Sequence, residues 1–361
     1  MPQEPPPASG SSTVGLQYLR ALAALMVLFH HAPWHYPTQS WLVAPVLANI
    51  GSRGVDIFFV ISGFVIAHTT RGFDPQMPRG TQALDFWLKR LIRIVPLYWL
   101  AALWDAKRMV WNHEAGLDTA KDFLFVPHLN AQGLIWPHLF QGWTINYEMF
   151  FYALFALCML AGRRRYLALS GILLGLTSVG VLIGSAQPQA HPAVVSFYTS
   201  NLLFEFLLGV WLELWMRHHP MQLARPVAVG ITLAGFVMLA VPSPDAVRGF
   251  LDGPAALLIV WSTMLWTAGT ELRWLRAVGD ASYSIYLFHL AIFGVTNRVF
   301  HAIGLGGPGL AQTVAMITLY ILFASVLGLA IHRWIEQPML LGLRRLLGRW
   351  RVGASAHPLG A

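Results

Sequence analysis

The segment LQYLRALAALMVLFHHA, Leu16 to Ala32, decides how this chain is read. It lies in an apolar run, 15–33, long enough to cross a bilayer as a helix of about 20 residues. The run is broken only by Arg20 and by the histidines at its end. Arg20 and His31 stand eleven positions apart, and eleven steps of about 100° return to within about 20° of the same face. They therefore share one side of the helix, about 16 Å apart along its axis, while His30 lies roughly 80° away. A charge in the bilayer core costs about 2.5–3.5 kcal/mol on insertion scales, so such a group is a functional candidate by default. The structural alternative is that Arg20 snorkels to the headgroups and His31 caps the helix end before Pro33.

The rest of the chain follows the same pattern. Its 361 residues are 56% hydrophobic and 11% charged, against roughly 25% charged in soluble proteins. Apolar runs of spanning length lie at 15–33, 54–70, 91–109, 143–161, 166–184, 198–216, 226–242, 251–269, 281–300 and 311–332. The fold expected is all-α, a polytopic transmembrane bundle of about ten spans with both termini cytoplasmic. It fills the chain, with a disordered cytoplasmic tail at 1–14, a transmembrane domain at 15–332 and a basic cytoplasmic tail at 333–361. The only cysteine, Cys158, sits in an apolar run, which excludes a disulfide scaffold.

The net charge of +8 is first of all a topology signal. With the N-terminus inside, the inner connections hold Arg71, Arg79, Lys89, Arg90, Arg93, Arg163 to Arg165, Arg217, Arg225, Arg273, Arg276 and five arginines of the tail. The outer ones hold Arg53, Lys107, Arg108, Lys121, Arg248 and Arg298. An excess of Lys and Arg marks the cytoplasmic side, so anionic lipid is the expected partner of this charge and nucleic acid is not. The longest outer connection, 110–142, contains DFLFVPHLNAQGLIWPHLF; Pro127 and Pro137 interrupt it, which favours an interfacial or re-entrant segment over an eleventh span.

Further candidates follow from polar groups in or beside the spans. RGVDIFFVISGFVIAHTT places Asp56 near one end and Ser62-Gly63 near the centre, the glycine serving either close helix packing or an opening for a ligand chain. FWLKRLIRIVPLYWL sets Lys89, Arg90 and Arg93 at a cytoplasmic boundary, where two guanidinium groups one turn apart can grip phosphates or simply anchor the helix. GWTINYEMFFY buries Glu148, which needs an Arg, a His or a substrate hydroxyl beside it. His289 in GDASYSIYLFHLAIF reads more readily as a packing histidine, and Glu205 and Glu213 carry less context still. A metal pair of His31 and His35 is not expected: Pro33 breaks the helix between them, and no third ligand is apparent.

Together these segments resemble the acyltransferase-3 family of bacterial membrane proteins. The resemblance rests on LRALAALMVLFHHA, RGVDIFFVISGFVI, KRLIRIVPLYW, WTINYEMFFY, SYSIYLFH and the terminal WIEQP, in family order over nearly the whole chain. Details such as FLFVPH and NYEMFF are similar to the branch of exopolysaccharide-production acetyltransferases. The resemblance implies O-acyl transfer, most often of acetyl, from coenzyme A to a carbohydrate outside the bacterial cytoplasmic membrane. It puts the catalytic histidine at His31, its paired arginine at Arg20, the cytoplasmic arginine pair at Arg90 and Arg93, and the acid of Trp-x4-Glu at Glu148 after Trp143. The family's common second acid is absent, since Met149 follows Glu148. Some relatives carry an extra esterase-like domain, which is not expected in this chain, so a separate polymerase or export machine is an expected partner.

On that reading acetyl-CoA is the donor co-substrate and no metal takes part. Lys89, Arg90 and Arg93 dock the headgroup, and the pantetheine arm passes Ser62 and Gly63 toward His31. His31 then acts as general base or is itself acylated, with Arg20 below it contacting the donor and Glu148 holding the imidazole tautomer or the acceptor. A secondary transporter or flippase is the rival class, although the halves show no repeat, and an assembly role without turnover is the third.

Overall fold

The computed structural model describes residues 11–35, 45–72, 76–111, 116–130, 133–185, 190–304 and 309–356. In lipid, backbone N–H and C=O groups must be satisfied within the segment itself, and among the described residues all regular structure is helical. The helices are α1 (Ser11–His31), α2 (Pro45–Ser52), α3 (Gly54–Thr69), α4 (Arg79–Trp111), α5 (Leu117–Phe123), α6 (Gly142–Met159), α7 (Arg165–Ile183) and α8 (Ala193–Tyr198). They continue with α9 (Leu203–His218), α10 (Arg225–Ala240), α11 (Arg248–Trp266), α12 (Arg273–Asp280), α13 (Ser282–Ala302), α14 (Leu310–Ile331) and α15 (Gln337–Ala356). Each of the ten apolar segments falls on one of them. Among the described residues five helical runs are long and apolar enough to cross a membrane: Asn49–Thr69, Gly162–Ile183, Ala193–His218, Asp245–Trp266 and Leu310–Gly348. A sixth arises if α12 and α13, bent by 72° at their junction, are taken together.

Burial sorts these helices. The run Asn49–Thr69 is 72% buried, whereas Gly162–Ile183 and Leu310–Gly348 are only 22% buried. The outer helices turn large apolar side chains such as Leu167, Leu182 and Val237 outward, as helices bathed in lipid must. α3 is apolar on every side because it is the inner post, packed against α1, α9 and α11. Its closest neighbour is α9, where a Cβ on Gly63 would meet the Phe206 carbonyl oxygen at 1.9 Å and one on Gly209 would meet that of Val60 at 2.0 Å. The two glycines let the backbones touch, a contact that any side chain would force apart. At the end of α7, Gly184 takes the left-handed conformation, φ 68°, and its N–H closes the last turn.

Several boundaries differ from expectation. Residues 1–10 of the expected tail lie outside the described residues, but α1 already begins at Ser11. α4 runs 33 residues from Arg79 with Pro96 inside it, so Lys89, Arg90 and Arg93 sit in mid-helix rather than at a helix start. The basic tail is helical as far as Ala356, continuing α14 through a π-turn at His332–Glu336. In 110–142 the described residues include only the end of α4 and the short helix α5, with irregular chain before α6. Pro127 and Pro137 explain the lack of a longer helix.

Two of the six supposed outer loop charges are not loop charges. Arg53 pairs with Asp252 at 3.0 Å, and Arg248 grips Asp56 with Nε at 3.1 Å and Nη2 at 2.7 Å. This network joins α3 to α11 and is buried, so each guanidinium serves packing. At the opposite end, Glu213 of α9 is bound by Arg71 and by Arg217 Nε at 2.6 Å, and Arg217 also donates to the Ala67 carbonyl at 2.6 Å. One end of α3 is therefore tied to α11 and the other to α9 by ion pairs whose carboxylates, Asp56, Asp252 and Glu213, are buried.

Candidate active site

His31 ends α1 and is buried, at 7% exposure. Its Nδ1 lies 3.0 Å from Nε2 of His289, whose Nδ1 lies 2.5 Å from the Tyr286 carbonyl oxygen. A carbonyl only accepts, so His289 Nδ1 carries the proton and His289 Nε2 is the acceptor. His31 Nδ1–H must then donate to it, which makes Nε2 the basic nitrogen of His31. A second histidine thus sets the tautomer of the first. Phe140 and Trp34 pack edge-on against the His31 ring, with centroids at 5.6 and 4.5 Å.

His31 opens on a cavity of about 410 Å³. Its wall includes the aromatic residues Trp34, Trp136, Phe140 and Trp143 and the polar residues Ser185, Ser196, Ser200, Asn201, Asp245 and Arg248. A smaller cavity of about 60 Å³ lies deeper and shares Val55 and Tyr286 with the first. A third, of about 70 Å³, shares Arg20, Phe58, Glu148 and Tyr283 with the second. The last, about 700 Å³, shares Arg90 and Arg93 with the third and adds Lys89 and Arg344. Four cavities, each sharing lining residues with the next, lie between His31 and the arginine pair.

Arg20 and Glu148 face each other's cavities at mid-bundle, so Arg20 points inward rather than along the helix surface. The Glu148 carboxylate accepts from Ser62 Oγ at 2.6 Å and from Tyr152 OH at 3.3 Å. Two parts are expected of Glu148, holding the imidazole or holding the acceptor; its carboxylate contacts Ser62 and Tyr152, while the His31 ring contacts His289. Ser62 lines the third cavity. Its neighbour Gly63 is not among the residues lining these four cavities and lies against Phe206 of α9, which matches the close-packing alternative.

At the far end, Arg90 donates to Thr69 Oγ1 at 2.9 Å and lies 5.3 and 5.5 Å from the ring centres of Phe86 and Tyr152. Such stacking holds a guanidinium plane in place without neutralising it. Arg93 Nη1 is 4.0 Å from Glu336. Glu336, in the terminal WIEQP segment, is held by Ser284 Oγ at 2.6 Å and His332 Nδ1 at 2.7 Å. The π-turn and α15 thereby bring Arg344 to the same cavity as Lys89, which is itself paired with Asp85 at 2.8 Å.

The model of the acyltransferase-3 family, described as an acyltransferase domain, matches residues 13–333. The chain belongs to the acyltransferase-3 family. It is a membrane O-acyltransferase, and the transporter reading falls away. Among its relatives is the exopolysaccharide production protein ExoZ of Rhizobium meliloti (strain 1021), 34% identical over 81% of this chain and 90% of the relative. The acyltransferase MdmB of Streptomyces mycarofaciens is 25% identical over 96% of this chain and 94% of its own. The putative peptidoglycan O-acetyltransferase YrhL of Bacillus subtilis (strain 168) is 26% identical over 90% of this chain but only 54% of its own length. No solved structure matches.

In this acyltransferase-3 chain the structure brings His31, Arg20, Glu148, Ser62, Arg90, Arg93 and Lys89 onto one line of cavities and leaves out Gly63. Sequence reading undervalued His289 and missed Tyr286 and Arg344. A signal existed for the first two: Tyr286 and His289 are three apart on one helix face, within a segment already singled out. Arg344 carried none, because its position depends on the turn at His332–Glu336.

Proposed function

We propose that this chain is a ten-span enzyme of the bacterial cytoplasmic membrane, with both termini inside, that transfers acetyl from cytoplasmic acetyl-CoA to a hydroxyl of an extracytoplasmic carbohydrate such as an exopolysaccharide. The observation that carries this reading is the line of cavities with a cationic mouth at one end and a histidine dyad at the other. A nucleotide donor has polyanionic phosphates on one end of a long, thin, flexible arm and the thioester on the other. Lys89, Arg90, Arg93 and Arg344 match the first in charge. The narrow cavities at Arg20, Ser62 and Glu148 match the arm, whose amides can bond with those groups. The aromatic and hydroxyl-rich cavity at His31 suits a sugar, whose C–H faces stack on rings while its hydroxyls bond to Ser and Asn.

The chemistry follows from the dyad. His31 Nε2 accepts the proton of an acceptor hydroxyl as its oxygen bonds to the thioester carbonyl carbon. The tetrahedral intermediate then collapses, the C–S bond breaks, and the leaving sulfur takes the proton back from His31. His289 accepts a hydrogen bond throughout and spreads the positive charge that His31 gains. No water or base need enter from outside, and the transfer balances as thioester plus alcohol giving ester plus thiol.

The test uses purified protein in detergent with acetyl-CoA and a carbohydrate acceptor. Thiol release that depends on acceptor and on His31 is expected, with a gain of one acetyl in acceptor mass. Native-rate transfer by His31→Ala would overturn the assignment. Reporter fusions at Ala356 and in the 116–141 segment test the topology, which requires them on opposite sides.

A further inference from the structure

The segment between α4 and α6, which also supplies Trp136 and Phe140 to the His31 cavity, gathers three metal-type side chains. One ring nitrogen each of His128 and His138 and one carboxylate oxygen of Asp122 lie within 4.8 Å of one another. Asp122 is 3% exposed and His128 7%. Asp122 Oδ2 accepts from the His138 backbone N–H at 3.1 Å and lies 2.6 Å from His138 Nδ1. His128 Nδ1 lies 3.1 Å from the Val126 carbonyl, so Nδ1 carries the proton and Nε2 presents its lone pair. That lone pair faces Asp122 Oδ1 at 3.7 Å, and neither atom has a hydrogen-bond partner.

Two buried acceptors facing one another repel unless a cation lies between them. The geometry points to a divalent transition metal, zinc by its N,N,O donor set, held by Asp122, His128 and His138. Two ligands about 2.0–2.1 Å from a tetrahedral zinc are about 3.3 Å apart, so His128 Nε2 and Asp122 Oδ1 close from 3.7 Å. His138 Nδ1 releases to solvent the proton it donates to Asp122 Oδ2 at 2.6 Å and draws back to ligand spacing. A ligand histidine that donates its other N–H to a backbone carbonyl, as His128 does to Val126, is the usual outer support of such a site. Water completes the coordination.

The cluster ties Asp122 of α5 to the chain beyond Pro127 and ends two residues before Phe140, which packs on His31. Trp136 packs on Phe140 in turn, at 4.8 Å. The metal is therefore a structural clip on the wall of the His31 cavity, and this holds whatever that cavity binds.

The protein is purified in detergent after growth in defined medium and its metals measured by elemental mass spectrometry. Near one zinc per chain is expected, falling at least fivefold in His128→Ala and in Asp122→Asn. Wild-type protein stripped with a chelator is then titrated with Zn2+ alone. One saturable site is expected, together with slowed hydrogen exchange in 124–141 on refilling and unchanged exchange in α3 and α9. Stripped wild type that binds no Zn2+ saturably overturns the site and leaves a protonated His128 as the cation. Zinc retained in both variants also overturns it, since the metal must then lie elsewhere. The wild-type titration needs no variant to fold.

Discussion

His31 and His289 are 258 positions apart in the chain, yet their ring nitrogens stand 3.0 Å from each other in the buried end of the bundle. α1 and α13 pack together to make this contact, so the proposed catalytic base and its proposed orienting partner come from the first and one of the last helices. Removing His289 leaves His31 in place but free to turn or to take the other tautomer. His289→Ala is expected to lower kcat by roughly 100-fold, near the low end of the 100- to 10,000-fold worth of a positioned base, with the donor KM within about twofold of wild type. His31→Ala should fall at least as far. The double variant should be no worse than His31→Ala, because two groups acting as one unit are not additive. Additive losses in a kcat comparison would count against the dyad.

The adjacent pair Ser62-Gly63 separates site from scaffold. Gly63→Ala puts a methyl 1.9 Å from the Phe206 carbonyl oxygen, so α3 and α9 must move apart. Overpacking of this kind costs about 1–3 kcal/mol, and a lower melting temperature in detergent is expected. Ser62→Ala removes the 2.6 Å hydrogen bond to Glu148. It should melt close to wild type and lose several-fold in turnover. Equal stability of the two variants would contradict the packing role of Gly63.

The Asp56–Arg248 pair tests whether a charge at the edge of the His31 cavity is structural. Arg248 lines that cavity and is bound through two nitrogens to fully buried Asp56. Breaking one partner of a buried pair strands the other, at about 3–5 kcal/mol. Asp56→Ala should therefore cut folded yield and melting temperature sharply, whereas a surface change such as Lys121→Ala should not. A melting temperature for Asp56→Ala within a degree or two of wild type would refute the buried pair.

How much of this could be read from the chain follows from range. Each apolar segment became a helix because hydrophobic run length is a local property, and Arg20 with His31 shared a face because both lie in one helix. The partners did not follow. His289 looked like packing until α13 met α1, Glu148 found Ser62 across 86 positions, and Gly63 showed its purpose only against Phe206. Asp122, His128 and His138 lie within 17 residues of one another, so their types and spacing were visible. The prolines around them drew the eye to backbone geometry, while the convergence of the side chains is set by the turns after α5. The start of α4 at Arg79 is missed for a simpler reason: the turns before residue 91 are amphipathic, so run length alone begins the span late.

The arginine pair gives the sharpest separation of donor binding from chemistry. Arg90 and Arg93 line the cationic mouth, three cavities away from the His31 wall. Charge-assisted hydrogen bonds to phosphate are worth about 1.5–3 kcal/mol each, which corresponds to roughly 10- to 100-fold in donor affinity. Arg90→Ala and Arg93→Ala are each expected to raise the acetyl-CoA KM by that range and to leave kcat within a few-fold. The control is a truncated donor, acetyl-pantetheine, which has the thioester but no phosphates. Wild type should lose its advantage with it, so that all three proteins share one low kcat/KM. If the variants remain worse than wild type on the truncated donor, the arginines act on folding or on the arm, and the phosphate role is refuted. Arg344→Ala should show the same pattern more weakly, since its side chain is exposed and screened by water.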